Sequence, residues 1–153
     1  MELRSELMPP VLDEAKLERL ADLADRMDGA GPGQYDDELA EFNLLAGTDM
    51  AINDFQGIYG AEDHEDYVRR LLYRRSLAPS ADLSRPEMVE IISRILAVRS
   101  VAERDFYLEL FELNCKHPSR SDLIYWPDLV PDLPQGREPT AEEIADLAMR
   151  VSA

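Results

Sequence analysis

The sequence is poor in the residues from which most disulfide, metal and nucleophilic sites are built. Its single cysteine, Cys115, excludes an internal disulfide and favours a reducing compartment such as the cytosol. Only two histidines are present, His64 and His117, which argues against a metal site. There is no glycine-rich phosphate loop, no Ser/His/Asp set in a supporting context and no paired Cys/His ligands. The sequence therefore predicts neither an enzyme nor a bound cofactor or small-molecule substrate.

Long apolar runs and positive charge are also scarce. No stretch resembles a signal peptide or is long and apolar enough to span a membrane, so we expect a soluble cytoplasmic protein. The 153 residues include 32 acids and only 16 bases, giving a formal charge of −16. Such a surface repels nucleic acid and anionic membranes and complements a basic protein.

Apolar spacing predicts three helices in the first half of the chain. Apolar residues recur at intervals of three and four over 11–27 and 35–46, on either side of a glycine-rich break. A third helix is predicted from the acids of 61–66 to the arginines at 74 and 75, a charge order that suits the helix dipole. Between the second and third helices the chain is irregular. The apolar residues available there to pack under the helices are Met50, Ile52, Phe55, Ile58 and Tyr59.

Three helix starts are predicted in the second half. The sequence pattern of a capping box, Ser or Thr followed three residues later by Glu, occurs at Ser84, Ser100 and Thr140. The second of these helices spans 101–115, and a proline-rich loop over 128–139 precedes the last. The apolar residues expected in the core are Met88, Ile91, Ile92, Ile95, Leu96, Leu110, Phe111, Ile144, Leu147, Ala148 and Val151.

A short polar segment separates the second and last of these helices. Proline after His117 ends the preceding helix, which His117 is expected to cap through a local hydrogen bond. Ser119 and Ser121 can cap a new turn through their hydroxyls, and Pro127 stops that turn.

The side chains of this turn divide into an apolar pair and a polar and aromatic set. Leu123 and Ile124 are expected to point inward, while Asp122, Tyr125 and Trp126 face solvent. An acid beside exposed aromatics is typical of a binding hot spot rather than of a catalytic site.

The same segment resembles the sequence signature of the colicin and pyocin DNase immunity proteins. These are four-helix inhibitors that bind the nuclease domain of the bacteriocin made by the same cell. Trp126 replaces the usual second tyrosine of that signature, and Arg120 stands where glycine is common. The matching residues are His117, Pro118, Ser119, Ser121, Asp122, Leu123, Ile124, Tyr125 and Pro127.

The resemblance, which covers about residues 82–153, implies an all-α fold. Residues 80–153 are expected to form a four-helix immunity-type bundle with a short third helix, preceded by an additional helical region at 1–79. That region repeats the order of helix, helix, apolar turn and helix, with 53–55 and 58–59 at the place of the signature. It is a degenerate copy, a second toxin-contacting lobe or a dimerisation element.

The function implied by the resemblance is inhibition of a cognate HNH-type DNase. The inhibitor binds tightly beside the active site and excludes DNA by its bulk and negative potential. The shared anchor of the toxin contact is expected to comprise Ser121, Asp122, Tyr125, Trp126 and Pro127. A specificity face on the preceding helix is expected to comprise Arg104, Asp105, Leu108 and Glu112, which lie at helical spacing.

Two other function classes stay open. One is an acidic DNA mimic that binds nucleic-acid-handling proteins, and the other is a regulatory interaction protein that reuses the immunity fold. Plainer interpretations also exist for individual residues. Tyr125 and Trp126 could merely cover the small core, and the acids around His64 suit a helix start better than a metal site. Cys115 is interpreted as a small apolar residue rather than a nucleophile.

Overall fold

The computed structural model describes residues 2–57, 63–97 and 100–150. Over these ranges the chain forms helices and turns and contains no strand, which confirms the predicted all-α fold. No helix within them combines the length and the apolar character needed to cross a bilayer. The chain divides into two compact units. One is Pro10–Arg75, and the other joins Met1–Pro9 to Ser76–Ala153.

The unit Pro10–Arg75 contains three α-helices and a 3₁₀ turn. Helix α1 (Glu14–Met27) packs against both α2 (Asp36–Ala46) and α3 (His64–Arg75), and it also contacts the 3₁₀ turn Ile52–Phe55. The buried residues of this core are Leu17, Leu20, Leu23, Ala24, Met27, Phe42, Ala46, Phe55 and Val68.

The start of α1 differs from the sequence prediction. The helix begins at Glu14 rather than at residue 11, because the Asp13 carboxylate accepts a hydrogen bond from the Lys16 N–H at 3.1 Å. Val11, predicted on the apolar face, is fully exposed. The end of α2 agrees with the prediction, since Gly47 follows it in the left-handed conformation. The predictions made for Ile58, Tyr59, Ala61 and Glu62 lie outside the described residues.

The second unit repeats this helix order. Helix α4 (Arg85–Leu96) packs against both α5 (Val101–Asn114) and α7 (Ala141–Met149), as α1 does against α2 and α3, and the short α6 (Asp122–Tyr125) contacts α7. The other elements are the 3₁₀ turns Ser5–Leu7 and Pro127–Leu129. The same packing of the first helix against two later helices in both units supports the prediction that one unit is a degenerate copy of the other. That origin stays a prediction.

Most of the predicted core of this unit is buried, with one exception. Leu96, at the last position of α4, is exposed, because the apolar stripe turns to solvent where the helix ends. Val151 lies outside the described residues. The buried residues that the sequence predicted are Met88, Ile91, Ile92, Ile95, Leu110, Phe111, Leu123, Ile124, Ile144, Leu147 and Ala148.

Side chains cap the three longer helices of this unit as predicted. Ser84 and Thr140 each form a reciprocal capping box with the glutamate three residues on. The Ser100 hydroxyl accepts a hydrogen bond from the N–H of Glu103 at 3.3 Å. These caps fix where α4, α5 and α7 begin.

The first residues of the chain belong to this unit, which the sequence pattern does not indicate. Leu3 and Leu7 are buried. The Arg4 guanidinium donates to both Glu87 carboxylate oxygens, at 2.6 and 3.1 Å, and its Nη1 donates to Asp82 at 3.0 Å. Its hydrogen bonds hold the pKa of the Glu87 carboxyl below the ordinary value. The segment therefore joins the start of α4 through an ion pair and two buried leucines.

The stability of the folded state is expected to fall in acid because of Glu143, which belongs to the N-terminal cap of α7. Hydrogen bonds from the Arg137 guanidinium and from the Thr140 N–H lower the pKa of Glu143 from 4.5 to about 2. A carboxylate with a lowered pKa stabilises the folded state above its unfolded-state pKa and loses this effect as the pH falls towards 2. We expect Glu143→Gln to lower the melting temperature above about pH 5, by an amount that shrinks between pH 4.5 and 2.

Glu142→Gln is the matched control, because it removes the same charge from the same helix turn. Glu142 is exposed and is not the carboxylate that Arg137 binds. Melting curves from pH 2 to 7 compare the two variants. Equal pH profiles would show that the pairing with Arg137 contributes nothing.

Candidate functional site

The short helix α6 displays the residues that the sequence singled out as an anchor. Leu123 and Ile124 are buried, whereas Asp122 is exposed and Tyr125 and Trp126 are 46% and 63% exposed. The predicted division into an inward apolar pair and an outward acid with two aromatics is present in the structure. The aromatic side chains do not merely cover the core, because about half or more of each remains open to solvent.

His117 organises the entry to this helix in a way that differs from the prediction. Its Nδ1 accepts a hydrogen bond from the N–H of Ser119 at 3.1 Å, and its Nε2 lies 3.6 Å from the Asp132 carboxylate. The bond is local, as expected, but it caps the new turn rather than the preceding helix. The chain leaving α5 is held instead by the N–H of Lys116, which donates to the carbonyl of Ala148 at 2.7 Å.

The predicted hydroxyl cap by Ser121 is wrong. Ser121 has helical backbone angles, and its side chain makes no capping hydrogen bond. Main-chain bonds order the turn instead. The N–H of Asp122 donates to the Ser119 carbonyl at 2.9 Å, and the N–H groups of Ile124 and Tyr125 donate to the Ser121 carbonyl at 3.0 Å. Ser121 therefore orders the turn through its carbonyl. Its contact with the toxin stays a prediction.

Pro127 follows the end of the turn, as predicted, and it also starts the next one. The helix ends at Tyr125, and Pro127 is the first residue of the 3₁₀ turn Pro127–Leu129. A proline suits this position, since its missing N–H is not needed there. The N–H of Trp126 donates to the carbonyl of Asp122 at 2.9 Å, and the N–H of Leu129 donates to the carbonyl of Trp126 at 3.0 Å. Two consecutive turns thus hold Trp126.

Arg120 occupies a left-handed backbone conformation, with a φ of 47°. It is the one residue other than glycine with a positive φ in the described ranges. This conformation explains why glycine is common at the same place in the signature that the segment resembles, because only glycine adopts it without steric cost.

Replacing Arg120 with glycine is expected to stabilise the protein by about 0.5–1 kcal/mol, since the relief of backbone strain exceeds the entropy cost of glycine. Chemical denaturation measures the change. Arg120→Ala is the matched control, because it removes the guanidinium and keeps the strain. If both variants gain the same stability, the side chain and not the backbone is the cause.

The four residues predicted to form a specificity face lie on the accessible side of α5. Arg104 is exposed, and Asp105, Leu108 and Glu112 are partly exposed. The opposite side is buried through Phe106, Tyr107, Leu110 and Phe111. The structure thus leaves the face open to a partner, and its role stays a prediction.

Tyr107 is a buried residue of α5 that the sequence pattern did not single out. Its hydroxyl accepts a hydrogen bond from Nη1 of Arg94 at 2.8 Å, and the guanidinium also lies 5.5 Å from its ring centroid. Nε of Arg94 donates in turn to Glu90 at 3.0 Å. These contacts hold α5 against α4, and α4 therefore helps to fix the position of the specificity face on α5.

The side chains of Cys115 and His64 lie in surroundings that suit a structural role rather than a chemical one. Burial raises the pKa of the Cys115 thiol, which disfavours the thiolate needed for nucleophilic chemistry. His64, at the start of α3, is buried with its Nε2 2.9 Å from the Asp28 carboxylate. Within the described ranges no group of three or more acids, histidines or cysteines is placed to hold a metal ion.

Leu129 is an exposed apolar residue that sequence reasoning missed. It is 71% exposed in the 3₁₀ turn that follows the anchor. The segment has no helical or strand periodicity, so no pattern distinguished an exposed leucine from the buried Val130 and Leu133 beside it.

Comparison with known protein families gives a match in the second half of the chain. Residues 81–148 match the model of the family described as colicin immunity protein / pyocin immunity protein. The match confirms the resemblance seen in the sequence for this part of the chain and covers α4 to α7. No curated protein and no solved structure matches the chain significantly.

Proposed function

We propose that this chain, whose residues 81–148 match the bacteriocin immunity family, binds and inhibits a cognate HNH-type DNase domain in the cytoplasm. It acts by binding and not by catalysis, as expected for an immunity protein. The inhibitor lies beside the active site of the nuclease and keeps DNA out. The contact with the nuclease is made through α5 and α6.

The observation that carries this proposal is the exposed acid and aromatic pair on α6. Asp122 offers a charge-assisted acceptor to an arginine or lysine of the nuclease. Tyr125 and Trp126 offer large, rigid contact surfaces, each with one polar group. Because main-chain hydrogen bonds already order this turn, little conformational freedom is lost on binding.

The negative charge of the chain supports the same mechanism. A net charge of −16 accelerates the encounter with a basic nuclease domain and repels DNA from the complex. The specificity face on α5 contributes to the choice of partner, through complementary contacts with the cognate toxin and repulsion of related ones. Its mixture of charge and one leucine suits both effects.

The unit Pro10–Arg75 is proposed to play an accessory role. At the place in its helix order that α6 occupies in the other unit, it has the 3₁₀ turn Ile52–Phe55. Phe55 of that turn is buried against Phe42, with the ring centroids 4.9 Å apart. Phe55 is used for the core and is therefore not available as a toxin anchor, and the anchor is assigned to the unit that contains α6.

The proposal is tested with the purified full chain and the nuclease domain encoded immediately upstream of it. One equivalent of the chain is expected to abolish DNA cleavage, and inhibition is expected to persist at 0.5 M salt. Apolar contact at the anchor survives screening, whereas an acidic DNA mimic loses its binding as salt rises. Unchanged cleavage, or inhibition that disappears at high salt, would contradict the proposal.

A further inference from the structure

The apolar surface around the anchor continues beyond the family signature. Tyr125, Trp126 and Leu129 are all among the large hydrophobic residues that the structure leaves exposed, and they fall within five consecutive positions. Single exposed leucines are ordinary on protein surfaces, but three exposed large apolar side chains so near in sequence are typical of an interaction site.

Backbone geometry brings Leu129 close to Trp126. The N–H of Leu129 donates to the Trp126 carbonyl at 3.0 Å, which is the i to i+3 hydrogen bond of a 3₁₀ turn. A turn closed by this bond brings the Cα atoms of its first and last residues to within about 7 Å, so Leu129 lies close to Trp126.

The turn is also anchored on its far side. Val130 and Leu133 are buried, and the N–H of Leu133 donates to the Val130 carbonyl at 3.1 Å. The Gln135 side-chain amide donates to the carbonyls of both, at 3.2 and 3.1 Å. Leu129 is therefore held outward by buried neighbours and cannot fold back without breaking these contacts.

We propose that Leu129 is a further contact residue of the nuclease interface, inserted into an apolar depression beside the site that receives Trp126. The inference rests on the proposed function and adds a residue that lies beyond the signature. The partner is the same basic nuclease domain. Charge complementarity supports this choice, because the exposed acids Asp122, Asp128 and Asp132 lie close to Leu129 in the chain.

The test compares Leu129→Ala with Leu44→Ala in the full chain. Leu44 is a matched control, because it is an exposed leucine, on α2 of the other unit. Kd for the upstream-encoded nuclease domain is measured by surface plasmon resonance. Leu129→Ala is expected to raise Kd by roughly 10- to 100-fold, mainly through faster dissociation, and Leu44→Ala by less than about twofold. Unchanged melting temperatures verify that both variants fold.

The outcomes separate this inference from the proposed function. If Leu129→Ala binds like the wild type while Tyr125→Ala is weakened, the inference is overturned and the proposed function stands. If Leu44→Ala is weakened as much as Leu129→Ala, the inference also fails, because exposed leucines then act regardless of position. Absence of binding by the wild type overturns both.

Discussion

Replacing Tyr125 with alanine is expected to weaken binding of the nuclease domain by at least about a hundredfold, or ~3 kcal/mol. The loss follows from the position of Tyr125, which is about half exposed on a turn that needs no reordering. Asp122→Ala is expected to act in the same direction, because it leaves a basic group of the partner without its charged acceptor. Titration calorimetry with the full chain measures both effects.

Conservative variants of the same residues identify the cause. Tyr125→Phe keeps the ring and removes the hydroxyl, and Asp122→Asn keeps the shape and removes the charge. The loss for Tyr125→Phe is expected to be about tenfold or less, because ring burial contributes more than the hydroxyl. Wild-type affinity in both alanine variants would exclude α6 as the anchor, whatever the nuclease.

Replacing Leu7 with alanine is expected to destabilise the unit that carries the anchor by about 2–4 kcal/mol, as for other buried leucines. Leu7 is 1% exposed and lies in the segment that Arg4 ties to Glu87 at the start of α4. The effect should therefore appear more than 70 residues away in the sequence. Hydrogen exchange of amides in α4 and α5 measures it, with about tenfold faster exchange for each 1.4 kcal/mol.

Met8→Ala is the control for this prediction, since Met8 is the next residue and is exposed. It should leave exchange in α4 unchanged. Amides of α1, in the other unit, provide an internal reference within each variant. If Leu7→Ala leaves exchange in α4 and α5 at the wild-type rate, the first residues do not stabilise this unit, and a chain that starts near residue 80 would suffice.

The elements that the sequence predicted correctly are those with local causes. Reciprocal caps at Ser84 and Thr140 set where two helices begin, and apolar spacing in α4 and α5 identified most of the core. The outward acid and aromatics at α6 followed from residue type, since the apolar Leu123 and Ile124 take the buried positions of this short segment.

The errors involve interactions that local patterns do not contain. Ser121 could cap a helix by residue type, but its own helical backbone places the hydroxyl elsewhere, and His117 caps the turn instead. The 3₁₀ turn that begins at Pro127 has no local pattern that predicts it, although Pro127 also follows the end of α6 as predicted. The burial of Leu3 and Leu7 depends on partners distant in sequence, for which one chain gives no signal.

The most direct test of the central claim is amide hydrogen exchange of the full chain, free and saturated with the upstream-encoded nuclease domain. We predict slower exchange on binding in the peptides that cover residues 104–112 and 119–130. Peptides that cover α2 should exchange at the same rate in both states. Protection confined to α2 or α3, with no change at 119–130, would contradict the account, because the toxin would then bind away from the anchor.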